Sequence, residues 1–273
     1  MKLHKYQALG NDYFICDPQE NPIAPSTATI RHVCDRHFGF GSDGLLYGPL
    51  SGDTVDLNIF NPDGSEAEKS GNGLRIFTRY LVDTRRLEAH VWQKLRTKGG
   101  LVDVYYDART QLIAVFMGQI SFLHQSSAEA EPKTFLLHPV LIDQQVYPIC
   151  ISHIGNPHCT IFLDQPPRVD WIRSIGPILE THPLFPFKTN VQGAYVESPH
   201  HLKLEIWERG AGYTLASGSS ASAAAAVAQH LGYCQSPITV HMPGGSLTVE
   251  IDASGGVTQI GPVKKIGVAY LSD

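Results

Sequence analysis

Two helix openings of the same design, Ser70-Gly71-Asn72-Gly73 and Ser217-Gly218-Ser219-Ser220, stand 147 residues apart in a chain of 273. Each introduces a predicted helix. Leu74–Asp83 carries Leu74, Ile76, Phe77, Tyr80 and Leu81 near helical spacing, and Ala221–Leu231 is rich in alanine, the strongest helix former. The second is apolar almost all round, which requires enclosure by the fold. A strand-like segment and a polar run with a glutamate precede each helix, Glu66 and Glu68 in the first case and Glu208 in the second. The match reads as a duplication: two similar domains, each a sheet wrapped around one buried helix.

The 25 glycines and 18 prolines cut the remaining sequence into short runs rich in Val, Ile, Tyr and Phe. Strands are predicted at Val55–Phe60, Leu101–Tyr106, Leu112–Met117, Val146–Ile151, Thr160–Leu163, Gly193–Val196, Leu202–Trp207, Ile238–His241 and Ser246–Ile251. Their connections look too short for crossovers, so the pattern is read as mainly antiparallel. Further helices are expected over Ser26–Arg36 and Trp171–Leu179. The fold class is therefore α+β, with two pseudo-symmetric domains and a boundary after the strand ending near Met117–Gly118.

Composition removes several functions. Lys and Arg number 21 against 26 Asp and Glu, a net charge of -5, and no basic run exceeds a pair such as Arg85-Arg86. A nucleic-acid partner is not expected. No apolar run approaches the ~20 residues of a membrane span, and the start lacks the apolar stretch of a signal peptide. A cytoplasmic protein with no membrane partner is the expectation. The five cysteines (Cys16, Cys34, Cys150, Cys159 and Cys234) are odd in number, scattered and without a CxxC pair. They fit neither a disulfide framework nor a structural zinc site. Cys34 and His37 form a lone CxxH without a second ligand pair, so no metal is expected.

A Ser-Gly-x-x segment before a buried helix has two meanings. Serine is a good N-cap and glycine permits a tight turn. The same free N–H groups, at the positive helix end, also receive a carboxylate or phosphate. Two such termini suit a small anionic ligand. Polar residues recur in Gly10-Asn11-Asp12, Asn61-Pro62-Asp63-Gly64, Gly155-Asn156-Pro157-His158, at Asn190, and in Glu208-Arg209-Gly210. Each asparagine beside Gly or Pro fits a turn equally well, and Arg209 fits a solvated charge.

Together, LGND at 9–12, DRHFGFGSDGLL at 35–46, NPDGSEAEKSGNGLRIFTRY at 61–80, GNPHCTIF at 155–162 and ERGAGYTLASGSSASAAAA at 208–226 resemble diaminopimelate epimerase over almost the full length. The resemblance implies a cofactor-free isomerase, without pyridoxal phosphate or metal, that interconverts LL- and meso-diaminopimelate for lysine and peptidoglycan precursors. It implies two sheet-and-helix domains with the ligand between them, often as a homodimer. The N-terminal domain would take residues 1–118 plus 263–273, and the C-terminal domain 119–262. Carried over position by position, Asn61, Asn156, Asn190 and Arg209 would hold the non-reacting end of the substrate. Asn11 would touch the reacting end, whose carboxylate would meet Gly71, Asn72, Gly218 and Ser219. His158 and Glu208 would stand beside the two catalytic positions.

The departure falls on the catalytic pair. The family has cysteine at both positions, and here they are Ser70 and Ser217. Inverting a Cα centre needs one group to remove the α-proton and another to deliver a proton on the opposite face. A thiol, with an ordinary pKa of about 8.5, is lowered into range by a helix N-terminus; a serine hydroxyl is a far weaker acid. The chain as written is expected to bind diaminopimelate and not to racemise it. Deliberate Cys→Ser replacement explains why the two bases are hit and the ligands spared. Natural divergence explains Ser220 and Ser222, where the family more often has Gly and Cys. Two further functions stay open: a non-catalytic binding protein, and an isomerase like the phenazine branch of the fold, whose single carboxylic acid would be Glu208 or Glu66.

Overall fold

The computed structural model describes residues 1–50, 54–122 and 137–272. The chain divides into two compact units, Met1–Phe116 with Ile260–Asp273, and Met117–Gln259.

In the first unit, β1 (Lys2–Ala8) and β2 (Asn11–Cys16) form a hairpin. Helix α1 (Thr27–Cys34) carries the chain to β3 (Leu45–Leu50), which pairs parallel with β2. β3 then pairs antiparallel with β4 (Val55–Phe60), and β4 with the short β5 (Glu66–Ala67). Helix α2 (Gly71–Asp83) leads to β6 (Gln93–Thr97), parallel to β4, and β7 (Gly100–Asp107) and β8 (Leu112–Gln119) continue as a meander. The far strand, β19 (Lys264–Tyr270), returns to pair antiparallel with β1.

The second unit repeats this succession. After β9 (Ser121–Phe122), β10 (Leu137–Ile142), β11 (Gln145–His153) and β12 (Pro157–Phe162) are antiparallel neighbours. Helix α3 (Val169–Glu180) connects β12 to its parallel partner β13 (Asn190–Ser198), which pairs antiparallel with β14 (His201–Glu208). β15 (Gly212–Thr214) answers to β5, and helix α4 (Gly218–His230) leads to β16 (Ile238–Met242), parallel to β14. β17 (Gly245–Ile251) and β18 (Gly256–Gly261) close the series.

All nine predicted strands and all four predicted helices fall on observed elements, with Thr160–Leu163 and Ala221–Leu231 running one residue past β12 and α4, and Ser26–Arg36 overrunning α1 at both ends. The reading of connections as too short for crossovers is corrected at four places. Every helix joins two parallel strands, β2 to β3, β4 to β6, β12 to β13 and β14 to β16. Parallel partners need a crossover of a dozen or more residues, and a helix supplies it. The strands β1, β2, β3, β5, β6, β9, β10, β15, β18 and β19 escaped prediction; several, such as Lys2–Ala8 and Gln93–Thr97, mix charged residues into a half-buried face.

The two central helices are enclosed as expected. On α2 every residue from Gly71 to Thr78 is buried, including Arg75. On α4 every residue from Ser220 to Ala228 is buried, and the small alanines let the sheet approach closely. Among the described residues no helix is long and apolar enough to cross a membrane.

Candidate functional site

The start of α2 is built by its cap. Ser70 has extended backbone angles of φ -140° and ψ 116°, and its Oγ accepts the Gly73 N–H at 3.0 Å. That satisfies one of the N–H groups every helix start leaves unpaired. The Tyr13 hydroxyl lies 3.3 Å from Ser70 Oγ. Behind the turn, the Asn72 Oδ1 accepts from the buried Arg75 guanidinium at 2.6 Å. Burial lowers the Arg75 pKa to about 10. Lys69, just before the cap, is pushed down to about 8 by burial.

Asn11 and Asn61 belong to the same unit; Asn11 is braced by a distant segment of it and Asn61 by its own turn. Asn11 Nδ2 donates to Asp43 Oδ2 at 2.9 Å, and Arg36 bridges Asp43 and Asp12. The motif at 35–46 thus supplies both the brace of Asn11 and the cation that neutralises it. Asn61 accepts at its carbonyl from Gly64 N–H and donates from Nδ2 to Ser65 Oγ at 3.0 Å.

The start of α4 has the same backbone and a different setting. Ser217 adopts φ -138° and ψ 121°, and its Oγ accepts the Ser220 N–H at 3.4 Å. The hydroxyl also donates to Glu208 Oε2 at 3.1 Å, with Ser219 Oγ 3.5 Å away. A Cβ at Gly218 would come within 2.1 Å of Gln259 Oε1, so any side chain there requires the Gln259 amide to move.

β12 and β13 place the remaining residues. Their register sets His158 opposite Asn190 and Thr160 opposite Gln192. Asn190 Nδ2 donates to the Pro157 carbonyl at 2.9 Å, and its Oδ1 accepts the Arg209 N–H at 3.0 Å. The exposed Arg209 side chain donates to the Phe187 carbonyl at 3.3 Å. His158 is fully buried, with Nε2 2.7 Å from Asn156 Oδ1 and Nδ1 2.9 Å from Gln192 Nε2. Burial, then the nearby His153 and Arg209, push its pKa down to about 3. It is neutral at physiological pH.

Asn11, Asn61, Ser70, Gly71 and Asn72 therefore share one unit, and Asn156, His158, Asn190, Glu208, Arg209, Ser217, Gly218 and Ser219 the other. Sequence reasoning missed Tyr13, Gln192 and Ser220 as partners of these groups. A signal for Gln192 existed: it follows Asn190 at the two-residue spacing of one strand face, inside a run that is otherwise small or apolar.

All five cysteines are free and buried. Burial pushes Cys16 and Cys150 up to about 12, Cys234 to about 11, and Cys159 higher still. One surface group among the described residues, Glu197 with His201 and His241, has the composition of metal ligands. Its imidazoles are nearly coplanar, 7° apart, with His201 Nδ1 2.9 Å from His241 Nε2 and ring centroids 5.2 Å apart. The centroid spacing places the two nitrogens in line between the rings, facing each other. That is an N–H···N hydrogen bond, not lone pairs converging on a cation.

The family model for diaminopimelate epimerase matches residues 3–123 and 150–266. A protein named diaminopimelate epimerase 2 from Nostoc sp. is 44% identical over 275 residues, covering 100% of this chain and 96% of the relative. Diaminopimelate epimerase from Pelotomaculum thermopropionicum is 36% identical over 273 residues, covering 97% of each. Among solved structures, a Bacillus anthracis phenazine biosynthesis protein of the PhzF family superposes with a TM-score of 0.73 at 14% identity, over 100% of this chain and 99% of that one. A probable proline racemase from Agrobacterium radiobacter, with bound carbonate, gives 0.72 at 14% identity over 99% and 92%. At such identity the structures speak for the fold alone. The sequence matches go further, and they place this chain in the diaminopimelate epimerase family.

Proposed function

We propose that this protein binds diaminopimelate through the family's ligand set and, with serine at both proton-handling positions, does not epimerise it at a useful rate. The observation that carries this reading is the state of the two serines. Each Oγ caps its own helix, and neither position has a thiol. Removing an α-proton would require a serine alkoxide. Ser217 already donates its hydroxyl hydrogen to Glu208, and a carboxylate is far too weak a base to leave serine as an alkoxide. Ser70 faces a phenol, which is no stronger a base at neutral pH. The buried cysteines, with raised pKa values, offer no thiolate in exchange.

The binding groups are intact. Arg209 supplies the planar fork suited to a carboxylate, Asn156 immediately precedes β12 while Asn190 opens the adjoining β13, and the N-termini of α2 and α4 offer backbone N–H groups to an anion. A cytoplasmic location and a homodimeric state are carried with this reading from the family.

A second reading rests on the Ser217–Glu208 contact. Glu208 itself, acting as a single base, would support exchange or elimination without inversion. Calorimetric titration with meso-diaminopimelate, beside NMR of the ligand in deuterated water, separates the readings. Binding without deuterium at Cα is the expected result. Exchange at one centre without epimerisation would favour Glu208, and full epimerisation by the Ser/Ser protein would overturn the proposal.

A further inference from the structure

We propose that Gln192 is a positioning residue that sets the polarity of the ligand subsite at Asn156, through a one-way relay of hydrogen bonds. It rests on the reading of this site as a diaminopimelate site, and it adds the residue that decides which ligand groups Asn156 accepts.

The relay starts at Thr160. The hydroxyl of this fully buried residue donates to Gln192 Oε1 at 3.1 Å. With its oxygen so fixed, the fully buried Gln192 presents only its NH2 group on the other side. One N–H faces His158 Nδ1 at 2.9 Å and the other donates to Ser220 Oγ at 3.0 Å. Nδ1 must therefore be the bare, accepting nitrogen. A neutral imidazole carries its one proton on the other nitrogen, so Nε2–H donates to Asn156 Oδ1 at 2.7 Å. The Asn156 oxygen is turned inward and occupied. Its Nδ2 group, with two N–H donors, is left for a ligand.

Each side chain thus fixes the next, and no single step can be reversed alone without leaving a buried donor facing a donor or an acceptor facing an acceptor; only the two hydroxyls, Thr160 and Ser220, can act either way. Such a mismatch costs more than a missing bond. The neutral state of His158 supports the relay, since a buried imidazolium would erase the distinction between its two nitrogens. The outcome is chemical selection. Asn156 offers donors and no acceptor, so it receives a carboxylate and rejects an ammonium group. With both polar atoms of Asn190 engaged by backbone groups, Asn156 is the amide whose orientation decides this choice. Gln192 touches no ligand itself; it acts through His158. Through Ser220 it also ties β13 to the first turn of α4.

Two measurements on the full chain test this. In ¹⁵N-histidine-labelled protein, His158 should show an unprotonated Nδ1 and a protonated Nε2 that do not titrate between pH 5 and 8, a range set about the ordinary value of about 6.5. The opposite tautomer would overturn the relay whether or not diaminopimelate binds. Gln192→Leu should release the tautomer to a mixture. It should also lower affinity for meso-diaminopimelate on the order of tenfold, the scale of one neutral hydrogen bond, while L-lysine, which lacks the distal carboxylate, is held unchanged. Thr160→Val, which only unpins the amide, should move both readouts the same way by less, and covers the case in which the leucine variant fails to fold. A fixed tautomer in both variants, or equal losses for the two ligands, would overturn the proposal. Failure of the unaltered protein to bind diaminopimelate at all, with the tautomer as described, would sink the diaminopimelate reading and with it the subsite's role in selecting that ligand.

Discussion

The two helix starts differ in almost everything except their backbone. Ser70 and Ser217 share cap geometry to within a few degrees, and each opens the crossover between two parallel strands. Around Ser70 stand the Tyr13 phenol and the half-buried Lys69. Around Ser217 stand the Glu208 carboxylate, Ser219 and a glycine pressed against Gln259. Duplication has kept what the backbone requires, a capped helix inside a sheet. The groups that decide where a proton can go have diverged: the second helix start places a carboxylate on the serine, and the first places a phenol.

The strongest way to break that comparison is to restore sulfur. Ser70→Cys with Ser217→Cys should raise the rate of diaminopimelate epimerisation by about 10²–10⁴-fold, the usual yield of positioned acid–base groups. Each single change should give far less, because inversion needs both. An inert double variant that still binds ligand would mean the missing thiols are not what stops turnover. Arg209→Lys tests the ligand side of the second unit. Lysine keeps the charge but not the two-point contact, and a loss of about 1.5–3 kcal/mol in calorimetric affinity is expected; unchanged affinity would remove Arg209 from the site.

Smaller effects sharpen the contrast. His158 has a folded pKa of about 3 against an unfolded value of about 6.5. Between those values the unfolded chain binds the extra proton, so this stabilisation is complete above pH 6.5 and is lost as pH falls toward 3. The slope is at most about 1.4 kcal/mol per pH unit. Urea titrations across that range should show His158→Gln to be flatter than the parent, and parallel curves would contradict a buried neutral imidazole. Smallest of all is the cap itself. Ser70→Ala and Ser217→Ala should each cost about 1 kcal/mol of unfolding free energy. The second should cost more, since Glu208 also loses a donor, and equal costs would mean the carboxylate adds nothing.

Much of this was legible in the residues. The apolar spacing of 74–83 and the alanine run at 221–231 marked both central helices, and the long motifs at 61–80 and 208–226 marked the family. The parallel pairs were not legible. A connection's length does not reveal whether its helix returns the chain beside the strand it left, and β1 and β6 each pair on one side with the next strand and on the other with a strand farther away in the chain. Hydrogen-bond direction also escaped. Nothing in GNPHCTIF or NVQG states that Thr160 fixes Gln192 and Gln192 fixes His158; that depends on β12 and β13 lying in register.

The pairing of β1 with β19 bears on the order in which the molecule is made. Met1 and Leu271 are joined at both backbone ends of this ladder, with the Met1 ammonium donating to the Leu271 carbonyl at 2.7 Å and the Leu271 N–H to the Met1 carbonyl. Residues 117–259 form their unit from one continuous stretch, whereas the first unit takes in residues on both sides of it. On a ribosome the continuous unit has all its strands while β1 still presents an open edge. Closing that edge means bringing together residues some 260 positions apart, the slow kind of contact for a folding chain. During that interval β1 is the strand most exposed to pairing with a neighbouring chain.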